Sequence, residues 1–102
     1  MIPEEEIKRE CSQQTYLRAQ QIASRRSSFR SAVVSFNDSR GVRTTELSAG
    51  VLSSDKKRYY KATILADEAV GELLDYACTC PAAYEYSGMC KHSAALAMHY
   101  NQ

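Results

Sequence analysis

From Ser31 to Leu65 apolar residues recur at nearly every second position, and a period of two predicts extended strands where a period near 3.6 would predict helix. Ala32, Val34 and Phe36 alternate with Val33 and Ser35 in the first run. Asn37-Asp38-Ser39-Arg40-Gly41 follows, and because these residue types tolerate positive φ or hydrogen-bond their own backbone, the chain is expected to turn there. A second strand runs from about Arg43 to Leu52, and Ser53-Ser54-Asp55-Lys56-Lys57 makes a second polar turn. Tyr60, Ala62, Ile64 and Ala66 then line one face of a third strand, against a more polar face of Tyr59, Lys61 and Thr63 that suits solvent. From Gly71 a fourth strand puts Leu74, Tyr76, Cys78 and Cys80 on one face and Leu73, Asp75, Ala77 and Thr79 on the other. Parallel pairing would need crossovers of about a dozen residues, for which these turns leave no room, so the sheet is an antiparallel meander.

Helical patterns flank the strands. Glu4 to about Arg26 reads as one helix, acidic in its first turn and basic at its end, both favourable to the helix dipole. Its apolar residues do not form one stripe: Tyr16, Ala19 and Ala23 share a face, whereas Ile7, Cys11 and Ile22 lie on another. Lys91 to about Tyr100 is rich in helix formers and closes the chain with a short helix. The expected fold is α+β in a single domain over residues 1–102: an N-terminal helix within 1–28, an antiparallel sheet of about four strands within 30–77, and a loop and helix over 78–100.

Composition changes this picture little. A domain of 102 residues buries only a modest core, so a metal would help it substantially. The longest apolar run, Ala62 to Val70, is interrupted by Asp67 and Glu68 and is too short to span a bilayer, so no membrane association is expected. The acidic start Met1-Ile-Pro-Glu-Glu-Glu-Ile is unlike a basic-then-apolar export signal, which makes the reducing cytoplasm the expected compartment. With a net charge of +1 overall, any affinity for nucleic acid has to come from local patches.

The cysteines carry the sharpest chemistry. Zinc held tetrahedrally needs four donors about 2.0–2.3 Å from one point, which a chain commonly supplies as two close pairs joined by a spacer. Cys78-Thr79-Cys80 and Cys90-Lys91-His92 are two such pairs, the first at a strand end and the second entering a helix. Pro81 follows the first pair and Gly88 precedes the second, as suits a reversing loop. Four protein donors close the shell, which predicts one structural Zn2+ rather than a catalytic ion. Disulfides would leave an odd thiol in the cluster and need an oxidising compartment. His99 is a rival fourth donor but lies turns away along the helix, where a surface position is expected; Cys11 has no partner nearby in sequence.

Cys78-Thr79-Cys80-Pro81 followed by Cys90-Lys91-His92-Ser93-Ala94-Ala95-Leu96 resembles the SWIM zinc finger, whose Cys-x-Cys…Cys-x-His spacing, proline and alanine-rich helix it shares from about Leu74 to Met98. SWIM fingers occur in bacterial Swi/Snf-type helicases, Mutator-like transposases and some ubiquitin-ligase-like kinases, and are credited with DNA binding and protein interaction. The resemblance therefore implies a zinc-stabilised binding module accessory to a Swi/Snf-type helicase, with DNA as partner or, alternatively, a protein whose larger enzyme it tethers or regulates.

Candidate phosphate contacts are Arg25, Arg26 and Arg30 near the end of the first helix and Lys56, Lys57, Arg58 and Lys61 around the turn into the third strand. Lys91 stands out because it sits between two metal donors at a helix N-terminus, where backbone N–H groups already favour anions. Tyr59, Tyr60, Tyr84 and Tyr86 are candidates for stacking on unpaired bases. No phosphate-binding glycine loop and no nucleophile with base and orienter is present, so neither an enzyme nor a small-molecule substrate is expected. Cys90→Ser is expected to unfold the C-terminal region and leave the sheet from Ser31 to Leu65 partly ordered.

Overall fold

The computed structural model describes residues 1–85 and 87–102. Two helices, not one, open the chain: α1 (Glu4–Glu10) and α2 (Gln13–Ala23). Cys11 and Ser12 between them are extended, and the Ser12 side chain caps α2 by accepting from the Thr15 N–H at 3.1 Å. The split explains why the apolar residues would not share a stripe. Ile7 belongs to a separate helix and is buried on its own, while Tyr16, Ala19 and Ala23 are the buried face of α2. A 3-10 turn (Arg26–Ser28) then leads into the sheet.

Strands β1 (Phe29–Ser39), β2 (Val42–Leu52), β3 (Tyr59–Asp67) and β4 (Glu72–Cys78) form a four-stranded antiparallel sheet in the order β1-β2-β3-β4. The β1–β2 turn is tighter than the polar run suggested, with only Arg40 and Gly41 between the strands. Both have positive φ, 53° and 80°, the two-residue turn whose twist matches that of the strands it joins. β1 carries a bulge between Arg30 and Val33, with Ser31 at φ 54°.

The fourth strand departs from strict alternation. Leu65 pairs with Asp75 but Ala66 pairs with Leu73, so Leu74 is the extra residue of a bulge. That places Leu73 beside Ala66 in the core and leaves Leu74 exposed, the reverse of the alternation predicted for that end. Tyr76 and Cys78 keep the predicted face, opposite Ile64 and Ala62.

A five-residue helix α3 (Pro81–Glu85) and the C-terminal helix α4 (Lys91–Asn101) complete the fold, an α+β domain. α4 packs across β2, β3 and β4, and α2 packs on α4. Ala94, Ala95, Leu96 and Ala97 of α4 and Leu47, Ala49, Val51, Ala62, Ile64 and Ala66 of the sheet are all buried. The small side chains on both layers let helix and sheet approach closely, and buried area of this kind stabilises by roughly 25 cal/mol per Å². No helix among the described residues is long and apolar enough to cross a membrane.

Candidate metal centre

Three segments deliver the four donors. Cys78 ends β4, and the ladder is prolonged one residue beyond it: Thr79 N–H donates to the Lys61 carbonyl at 3.1 Å, and Lys61 N–H donates to the Thr79 hydroxyl at 3.0 Å. Thr79, between two donors, thus fixes the bend from which Cys80 projects. Cys80 lies past the strand, so this bend aims its sulfur and strand alternation does not. Cys90 is the N-cap of α4, its sulfur accepting from the Ser93 N–H at 3.5 Å, and His92 lies in the first turn. The Ser93 hydroxyl donates to the Ala77 carbonyl at 3.0 Å, tying this helix start to β4.

The loop between the pairs is held from the other side. Met89 N–H donates to the Glu10 carbonyl at the end of α1 at 2.7 Å. Gly88 beside it has φ 90°, and a Cβ there would stand 2.8 Å from the same Glu10 oxygen. Only glycine permits both the backbone angle and the close approach. Tyr86 lies outside the described residues.

The donor atoms of Cys78, Cys80, Cys90 and His92 all lie within 4.8 Å of one another. The His92 Nδ1 is 3.8 Å from the Cys78 sulfur and 3.9 Å from that of Cys90. Tetrahedral zinc with sulfur and nitrogen donors needs edges of about 3.5–3.8 Å, so a small contraction gives the geometry. His92 Nε2 is buried without a hydrogen-bond partner, and the Tyr60 ring lies 5.1 Å away at 53°. Turned to the sulfurs, Nδ1 is the nitrogen that would ligate a metal.

The electrostatics also fit a cation. Cys90 is lowered to about 3, chiefly by the hydrogen bond from Cys78, whose own thiol is pushed far up by that bond and by burial. Burial, and then the charge on Cys90, raise Cys80. Backbone N–H groups of Cys80, Ala83 and Ser93 favour the anionic forms of Cys78, Cys80 and Cys90 in turn. Burial and mutual repulsion oppose three thiolates packed this closely, and a bound dication would offset both. Bound zinc would draw its donors from these four side chains and supply a crosslink between β4 and α4.

The other predicted residues separate into groups. Arg25, Lys56 and Lys91 line one cleft of about 910 Å³, together with Arg18, which the sequence reading did not single out. Lys91 donates to the Ser54 hydroxyl. Arg30 and Lys61 instead flank Gly50 on the opposite face of the sheet, where Arg30 stacks 3.9 Å over Tyr59. Arg26, Lys57 and Arg58 are exposed and do not line this cleft. Tyr84 is exposed on α3. His99, expected on the surface, is half-buried and stacked on Phe29 with ring centroids 4.1 Å apart, away from the metal donors. Cys11 is half-buried, its thiol donating to the Ile7 carbonyl.

Residues 60–101 match the family model of the SWIM zinc finger. Comparison with curated proteins and with solved structures gives no match.

Proposed function

We propose, from the match of residues 60–101 to the SWIM zinc finger model, that the chain is a nucleic-acid-binding module, DNA in the first instance, accessory to a Swi/Snf-type helicase. One observation carries the reading. The cleft between α2, the 3-10 turn and the β2–β3 turn is lined by Arg18, Arg25, Lys56 and Lys91, with serine hydroxyls and no carboxylate among its described lining residues. In a chain of net charge +1 that sorting of charge suits a polyanion. One zinc ion in a closed four-donor shell would act on this surface by position, holding Lys91 between two of its ligands at the cleft's edge. A closed shell leaves no site for activated water, so the module works by binding and not by catalysis. Four free cysteines suit the reducing cytoplasm.

Titrating the zinc-loaded chain with labelled DNA over a range of salt tests this. Four phosphate-paired cations predict that log K falls against log salt with a slope of about −3 for a single strand and about −4 for a duplex. A flat dependence, or no binding even at low salt, rejects the reading. Protein interaction is the second reading, favoured by the exposed Val33, Val34, Phe36 and Val42 of the β1–β2 hairpin.

A further inference from the structure

The cationic cleft is not isolated. Arg18, Ser53, Ser54 and Lys91 also line a neighbouring cleft of about 970 Å³ that runs between α1, the start of α2 and the finger loop. The two clefts adjoin along these four residues and differ in character. The first compartment is cationic. The second is neutral, with Arg9, Arg18 and Lys91 offset by Glu10, Asp55 and Glu85; it includes the metal donors Cys80, Cys90 and His92, and beside them it offers ring and apolar surface from Tyr60, Pro81 and Ala82. Lys91 stands at the junction, its ammonium held by the Ser54 hydroxyl.

We infer that these adjoining clefts take a single-stranded polynucleotide, its phosphates in the Arg18–Arg25–Lys56–Lys91 compartment and a base against Tyr60 and Pro81 beside the metal centre. The inference rests on the nucleic-acid reading and narrows it. A duplex is read by a convex element, a helix or two-stranded ribbon that enters a groove about 12 Å wide. Here the cations line a recess, which a duplex backbone meets only at the rim but a flexible strand can follow. The chain does possess a projecting ribbon, the β1–β2 hairpin, yet it presents few cations: Arg43 pairs with Asp38 at 3.3 Å and Arg30 lies over Tyr59, which leaves Arg40 at the tip. A cationic track beside aromatic surface is the arrangement by which single strands are held without base-specific hydrogen bonds.

The test uses the full zinc-loaded chain and three labelled probes of about 12 nucleotides, oligo(dT), oligo(U) and a blunt duplex. Either single strand is expected to bind at least roughly tenfold tighter than the duplex, and the stronger of the two identifies the sugar of the natural ligand. Arg25→Ala with Lys56→Ala, both exposed residues, should reduce the single-strand salt slope by about 1.4. Photocrosslinking of 5-iodouracil probes should mark Tyr60, a readout that needs no variant to fold. Equal affinity for duplex and single strand, or crosslinks confined to Tyr59 on the opposite face, overturns the single-strand inference and leaves nucleic-acid binding standing. Binding to none of the probes at low salt overturns both.

Discussion

The two ends of the sheet are built on opposite terms. At one end Cys78, Cys80, Cys90 and His92 draw a strand end, a loop and a helix start to within 4.8 Å of a common centre, and Gly88 and Met89 press that loop onto α1. At the other, around the β1–β2 turn, every residue from Phe36 to Arg43 is exposed. Sequence pattern alone does not separate them, since Val34 and Phe36 sit on the same sheet face as Leu47 and Thr45 opposite them, and the latter two are buried. Helix cover makes the difference. α4 lies over β2, β3 and β4, and the apolar face of β1 runs on beyond it, leaving Phe36 57% exposed; Val33, 53% exposed, lies on the other face. Burial in a thin two-layer domain therefore depends on how far the second layer reaches, and here that layer begins at Cys90, one of the four clustered donors.

Removing the metal should have the largest effect. Structural zinc in finger peptides contributes roughly 10 kcal/mol or more of apparent binding energy, comparable with the whole net stability of an ordinary domain, about 5–15 kcal/mol. The sequence alone suggested that the sheet would outlast the finger. Packing argues otherwise, because α4 starts at Cys90 and supplies Ala94 to Ala97, the cover of β2 and β3. Chelation, or Cys78→Ser, is thus expected to abolish amide-exchange protection in α4 and in β2–β3 together, in one cooperative step. Protection retained in β2 and β3 after the metal has gone would restore the two-part picture.

Next in size is Ile64→Ala. Ile64 is fully buried at the centre of β3, opposite Tyr76 and Leu47, and truncation there should cost about 2–5 kcal/mol in urea unfolding of the zinc-loaded protein. A loss under about 1 kcal/mol would mean that α4 is not seated on the sheet as described.

How far these contrasts were legible in the sequence depends on whether the signal was local. The Cys/His spacing was, because the ligands are neighbours in pairs, and so were the meander and the final helix, whose turns and periods are written in adjacent residues. The break at Cys11-Ser12 was also local, since Ser12 and Thr15 stand at capping distance, but a continuous run of helix formers masked it. The bulge that brings Leu73 inward leaves no mark in an apolar pair such as Leu73-Leu74. Arg18 joined Arg25, Lys56 and Lys91 only through the docking of α2 beside the β2–β3 turn, whereas Arg25 and Arg26, adjacent in sequence, parted. His99 was expected outside because nothing near it in sequence announces Phe29, some 70 residues earlier, as its stacking partner.

The smallest predicted effect bears most directly on the exposed end. Val33→Thr keeps the β-branched shape that a strand favours and adds one hydroxyl, a change that would leave an unpaired polar group if the site were covered. Val33 is exposed on the face away from the helices, opposite Ser48. The hydroxyl should therefore find water, and urea unfolding should move by no more than about 0.5 kcal/mol. The same swap at a buried valine such as Val51 removes a methyl from the core and strands a hydroxyl there, so it sets the scale for a covered site. A loss at Val33 approaching the Val51 value would show that the hairpin face is covered in solution, and the contrast between the two ends would then belong to the isolated chain and not to the protein at work.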